Sequence, residues 1–579
     1  MEQSVTSDQE MANVSKDTNG IEKDGAVGKS ANGLPMENVN NIRGSTASTT
    51  GNTPDASPEK TTIVSTSLVS IVDQLQGFDK ASWIVTAYLA TNTAERHIGL
   101  QNDAAYRARH LYDILNRLRG FRFHDIFHCS DWTRRLVRII FRALQGMGGS
   151  GIYSLSTLMV PLMVPPAKFA TYITIVTSIF AISSVLGPIV GGAIADKTSW
   201  RWVFYINGPG GALAVLLVAF SVPFGFPYGK SRVFLDNLRS RRTWRRIDFA
   251  GAFASLAASI LLIFALQQGG VMYPWNSAPI VSTFVLSGVL WLFLLGWERW
   301  LSARNGICEP VFPQRLITNR FVLGLLLNGF LTGAPFMTTV INIPQRLQTV
   351  NSFSAIDAGI RMLPLLLLTP VASALSGLMV ARLRVPPLFV LLLGAALQCI
   401  GVGLFSSIGH SNLQVPAAQY GYQVLMGLGF GFSLSTILMM ATIVVAEKDL
   451  ADQCLFRSRF GIKAVTMGAA TQLRVLGGTI GLAGAAALLM DNIRSEAARF
   501  LTPAELSSVL SSSGNIRLLS SEKQLETRMV FAAAYSRQMR AMLYFSLGAL
   551  LSVMLLVEKK PRRVVHKTAG QNQESAPSS

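Results

Sequence analysis

The sequence predicts an all-α, polytopic membrane protein, and three observations predict it. Of the 579 residues, 50% are hydrophobic and only 14% are charged, against about a quarter charged in ordinary soluble domains. Mean hydropathy is +0.38. Long runs carry no Asp, Glu, Lys or Arg, many of them near the roughly 17–25 apolar residues that one helix needs to cross a bilayer. The formal charge of +19 gathers largely beside such runs. Together these exclude a disordered chain and argue against a soluble enzyme, whose core would not need so many twenty-residue apolar helices.

In chain order, residues 1–60 are polar and rich in Ser, Thr, Asn and Gly, so they read as a disordered cytoplasmic tail. Thr62-Ile63-Val64-Ser65-Thr66 begins an apolar stretch, uncharged only over 61–72 and short for a span at about 1.5 Å per residue. A second apolar segment, Ser82 to Leu89, stops near Thr93. Charge-free runs 143–167, 169–195 and 202–229 each hold one span. Run 249–297 holds two, turning around Gly269-Gly270 and Tyr273-Pro274-Trp275. Runs 321–345 and 362–381 hold one each, and 385–446 holds two with a turn near Gly409-His410-Ser411-Asn412. Runs 475–490 and 541–557 complete about eleven to twelve spans.

Charge gives orientation. Lys230, Arg232, Arg239, Arg241, Arg242, Arg245 and Arg246 crowd residues 229–246 against Asp236 alone, and Lys559, Lys560, Arg562, Arg563 and Lys567 follow the last run. Positive flanks stay cytoplasmic, so 229–246 is a cytoplasmic loop, 558–579 a cytoplasmic tail and 491–539 an extracytoplasmic loop. A nucleic-acid partner is not expected, because no stacking aromatics or nucleic-acid fold surround the basic loop. Four cysteines are scattered without a paired spacing, and no secretory leader is expected. Residues 94–138 break the pattern with nine Arg and five acids. Within them His124, His128 and Cys129 have a metal-like spacing but no fourth ligand, so no metal and no cofactor is expected. Residues 451–463 are a second charged interruption.

Several apolar runs carry Gly and Pro where helices pack backbone to backbone, as small residues allow in a bilayer. Gly187-Pro188-Ile189-Val190-Gly191-Gly192 resembles the antiporter motif of the major facilitator superfamily, found on the fifth helix of proton-driven exporters. Arg142-Ala143-Leu144-Gln145-Gly146-Met147-Gly148-Gly149 resembles the fourth-helix motif, whose Arg lies in the membrane and is implicated in proton coupling. Trp200 to Asn207, Ile247-Asp248-Phe249, Leu266 to Gly270 and Ala358 to Pro364 are similar to the fourteen-span drug:proton antiporter branch, in the style of fungal toxin and multidrug efflux pumps. Arg474-Val475-Leu476-Gly477-Gly478-Thr479-Ile480-Gly481 resembles the thirteenth helix. Lys60 stands where that branch has an acid, and the pattern of its second-to-third loop and its third helix are missing. Residues 94–138 and 451–463 therefore read as segments foreign to the family, as gene-level damage would produce.

The resemblance implies a major facilitator-type two-bundle fold that keeps about eleven to twelve of fourteen spans. The N-terminal bundle would occupy 61–228, two extra linker spans 247–300 and the C-terminal bundle 301–557. It implies proton-coupled efflux of a small amphipathic organic compound such as a toxin, drug or fungal secondary metabolite, by a monomer in the plasma, vacuolar or vesicle membrane. Arg142 is the proton-coupling candidate. Gly187, Pro188, Gly191 and Gly192 would shape the bundle interface. Gln145, Asn207 and Gln267 would hydrogen-bond substrate or, preferably, a neighbouring helix, and Arg474 would cap its own helix. An importer of a metabolite or siderophore and an inactive remnant remain open alternatives.

Overall fold

The computed structural model describes residues 64–71, 85–86, 88–89, 146, 149, 183, 186–199, 201–221, 248–270, 272–304, 308, 318–409, 413–448 and 456–558. Among them, eight helical segments are long and apolar enough to cross a membrane, and their backbone is almost entirely helical. This suits a bilayer, where a helix satisfies every backbone donor and acceptor within itself. We number the helices α1 (64–71), α2 (186–197), α3 (Asn207–Ser221), α4 (Phe249–Gln268), α5 (Ala278–Ala303), α6 (Arg320–Thr349), α7 (Ala355–Ile360), α8 (Leu363–Ala381), α9 (Pro387–Ser406), α10 (Ala418–Lys448), α11 (Phe456–Ala497), α12 (Pro503–Ser511) and α13 (Ser521–Ser552).

The expected linker pair is a helical hairpin. Asp248 caps α4, its Oδ1 accepting from the Gly251 amide at 2.8 Å and from the Trp297 indole of α5 at 2.9 Å. The chain reverses where Gly270, at φ +72°, sits against the Trp275 indole. Ser287 of α5 donates to the Ala258 carbonyl of α4 at 2.8 Å. Val281, Val285, Leu292 and Phe293 on α5 face outward, as a lipid-facing surface requires. The hairpin docks on α11 through Ile263, Leu266 and Ala483, and Arg494 donates to the Gly270 carbonyl at 2.9 Å.

In the C-terminal half, α6 lies against α11 and α13, while α10 packs between α8 and α9. The α6–α11 crossing is set by glycine. A Cβ at Gly333 would overlap the Arg474 carbonyl, and one at Gly477 the Phe330 carbonyl. This is the close backbone approach that small residues four apart provide.

Three expectations change. Residues 491–539 are not an open loop: α11 runs to Ala497 and α13 starts at Ser521, with α12 and a 3-10 turn, Ser513–Leu518, between them. These stretches carry charged residues, so a search for charge-free runs passes over them. Residues 456–463 of the supposed insertion extend α11 at its N-terminal end. Arg474 sits well inside α11, where a side chain cannot cap that helix. The expected spans 143–167 and most of 169–195 lie outside the described residues.

Candidate functional site

Two features stand out, one where the halves of the chain meet and one within the C-terminal half. The first is a seam built around α2. Gly187, Pro188, Gly191 and Gly192 are all buried in α2. A Cβ on Gly192 would come 2.7 Å from the Ala355 carbonyl oxygen of α7, and one on Gly359 would come 2.8 Å from the Pro188 carbonyl oxygen. The two backbones therefore touch with no side chain between them. Asp196 at the end of α2 reaches across and accepts from the Ala355 amide at 3.2 Å and the Ile356 amide at 2.9 Å. It thereby satisfies two of the donors that the start of α7 leaves open, beside that helix's own cap Ser354. Thr66 of α1 donates to the Pro188 carbonyl at 3.3 Å and accepts, through its own carbonyl, from Gln348 of α6 at 3.0 Å.

An apolar cluster closes the same end. Val64, Leu68, Val85, Tyr88 and Leu89 pack with Ile341 and Val350 of the C-terminal half and with Leu501, Val509 and Ile516 of the segment between α11 and α13. That segment is pinned outside the spans. Thr502 and Glu505 form a reciprocal capping box, and Lys523 donates to Glu505 at 2.8 Å. The Lys523 bond, with those from Thr502, holds the Glu505 carboxyl down at about 2.

The second feature is Arg346 of α6. It is 8% exposed and lines a narrow cleft with Asn342, Ile343, Phe405, Tyr535, Ser536 and Met539. Its Nε is buried without a hydrogen-bond partner, as is Asn342 Nδ2, and no carboxylate pairs with the guanidinium among the described residues. Desolvating a charge costs several kcal/mol. The Phe405 ring, 5.8 Å away, offsets about 2 kcal/mol at most. The helix end beside Arg346 offsets up to about 2 kcal/mol more in a favourable geometry. Neither supplies acceptors for five guanidinium N–H donors. Sequence reasoning missed this residue, because a charge that ends an apolar run looks like an ordinary interfacial flank; only its burial distinguishes it.

Of the residues singled out from sequence, Arg142 and Gln145 lie outside the described residues. Asn207 opens α3. Gln267 is buried and donates to Thr86 at 2.5 Å, so it ties α4 to the first helices of the chain. It lines neither the seam at α7 nor the Arg346 cleft. The structure thus brings Pro188, Gly192 and Asp196 of α2 together with Thr66, Gln348, Ala355 and Gly359, a grouping that no sequence spacing reveals, while Gly187 and Gly191 are buried in the same helix.

The sequence of the chain has relatives among known proteins. The family model described as Major Facilitator Superfamily matches residues 135–482, more than half of the chain. The chain belongs to the major facilitator superfamily. It is a multi-pass membrane transporter. Among relatives of this superfamily member, MFS-type transporter FPY5 of Fusarium mangiferae is 58% identical over 510 residues, 88% of this chain and 82% of that protein. Efflux pump bfoC of Aspergillus brasiliensis is 32% identical over 390 residues, covering 67% of this chain and 66% of its own length, just under two thirds. The rubrofusarin-specific efflux pump aurT of Gibberella zeae is 29% identical over 391 residues, 67% of this chain and 68% of that protein. A bacterial homologue of the lysosomal transporter Spinster, solved inward-facing, has a TM-score of 0.46 at 13% identity, covering 86% of this chain and 95% of its own.

Proposed function

We propose that this chain exports a small amphipathic organic compound, such as a toxin, drug or fungal secondary metabolite, in exchange for protons. The observation that carries the reading is the seam: the Gly-Pro helix α2 meets α7 backbone to backbone, and an apolar cluster closes that end. Efflux pumps among the relatives favour outward movement. With the basic loop 229–246 cytoplasmic, the closed end is extracytoplasmic. Alternating access then parts this end while the opposite end closes, the two bundles rocking about a central site.

The roles follow from chemistry. Arg142, an ionisable residue in an apolar run, is the proton-coupling candidate, since a charge there is costly and functional by default. It would act through the charge it presents rather than by carrying the proton itself, because guanidinium does not deprotonate in proteins. Gly187, Pro188, Gly191 and Gly192 set how closely the halves approach. The plasma membrane and a monomer complete the reading.

The test uses inside-out plasma-membrane vesicles containing the chain. Compounds that accumulate in cells lacking the gene are offered with the vesicle interior acidified. Uptake that collapses with a proton-exchanging ionophore supports export by antiport. Net uptake of the same compounds by intact cells would instead indicate an importer, and no gradient-dependent movement at all an inactive remnant.

A further inference from the structure

We infer that the cleft around Arg346 binds a small monovalent anion, either a halide such as chloride or the carboxylate of a small organic acid, seated on the guanidinium inside the C-terminal bundle. The walls come from α6, α9 and α13 alone, so this site is separate from the seam and stands whatever the direction of transport. The chemistry of the lining is one-sided. Arg346 contributes five N–H donors and a permanent charge, and Asn342 adds an amide N–H. Both side chains are more than nine-tenths buried and line the same cleft, and Arg346 Nε and Asn342 Nδ2 have no hydrogen-bond partner there. They sit one helical turn apart, so one ligand reaches both. No Asp or Glu occurs anywhere in α6 or α9, and among the described residues none answers Arg346. The oxygens of the lining, the Tyr535 hydroxyl among them, are neutral and cannot balance the guanidinium charge, which calls for an anion held by short charge-assisted bonds.

The cleft is a slit, which sets the ligand's size. Phe405, Tyr535 and Ile343 form stiff walls, and Met539 is the pliable one whose rotation makes room. The slit as it stands has no room even for a water molecule, so a bulky organic molecule is shut out, and a halide or the flat end of a carboxylate enters only as Met539 turns aside. Simple snorkelling of the arginine toward water is excluded by its burial.

The test measures thermal unfolding of the purified full-length protein in detergent. Sodium gluconate, whose polyol chain is too large for the slit, is replaced stepwise by chloride, and separately by acetate, at constant ionic strength. The wild type should melt higher as the binding anion rises, as mass action requires of a ligand that prefers the folded state. R346Q should melt higher than wild type in gluconate, because it removes an uncompensated charge, and should show no anion response. R346K and N342A should keep the response with half-saturation shifted by roughly tenfold, the size of one lost good hydrogen bond. A response to chloride alone assigns an inorganic ion, and a response to acetate alone assigns an organic acid. No anion response in the wild type, or an equal one in R346Q, overturns the proposal. Transport plays no part in the measurement, so its result is independent of the export reading.

Discussion

Gly192 decides how closely the two halves can meet. Its absent Cβ leaves room for the Ala355 carbonyl, where a methyl group would lie at 2.7 Å. Both partners are backbone, so neither can swing aside. We expect Gly192→Ala to disfavour the closed seam and to cut vesicle transport at least roughly tenfold, an effect of about 1.4 kcal/mol. Membrane insertion, read by yield and monodispersity in detergent, should be unchanged. Unaltered transport would remove α2 from the mechanism. Asp196→Ala removes a cap from the same contact, worth about 0.5–2 kcal/mol. A cysteine placed at Ala355 should then react faster with a membrane-impermeant thiol reagent than in a protein retaining Asp196. The α2 glycines and proline were legible in the sequence because their spacing is a pattern. Thr66, Asp196 and Gln348 were not, because each matters through a residue more than a hundred positions away.

At the scale of the helix, the apolar runs read well. The turn at Gly269 to Trp275 and helices α4 to α10 lie over uncharged stretches, while α11 and α13 extend well past the runs 475–490 and 541–557. What was not legible is helix that lies partly outside the bilayer, since α12 and the start of α13 mix charge with apolar residues that only tertiary packing explains. The α6–α11 crossing makes a second prediction. Gly333→Leu drives a side chain into the Arg474 carbonyl, and overpacking of this kind typically costs 1–3 kcal/mol or more. The protein should aggregate on size-exclusion chromatography in detergent, unlike the Gly192 variant. The Glu505–Lys523 bridge has a pH signature. With its carboxyl held at about 2, below the usual 4.5, Glu505 contributes stability above its unfolded pKa and loses it as pH falls toward 2. The melting difference between wild type and Glu505→Gln should therefore be constant from pH 8 to about 5 and shrink only below that. A difference that vanishes near neutrality would show that the bridge does not form in solution.

For the whole molecule, the placement of charge along one helix ties the chain to its surroundings. Within α11 the stretch free of charge runs only from 475 to 490, bounded by Arg474 and Asp491. At about 1.5 Å per residue it spans roughly 24 Å, against about 30 Å of hydrocarbon in a typical bilayer. Yet α11 is the helix on which α6, α13 and the linker hairpin all pack, so its depth fixes theirs. A thick membrane would have to dimple around it or draw Arg474 into the lipid, at a cost of fractions of a kcal/mol per Å of mismatch. Reconstitution in phospholipids of increasing acyl length should show transport peaking in thin bilayers and falling in thick ones. The spacing of two charges along one helix thus makes membrane thickness a natural brake on this transporter.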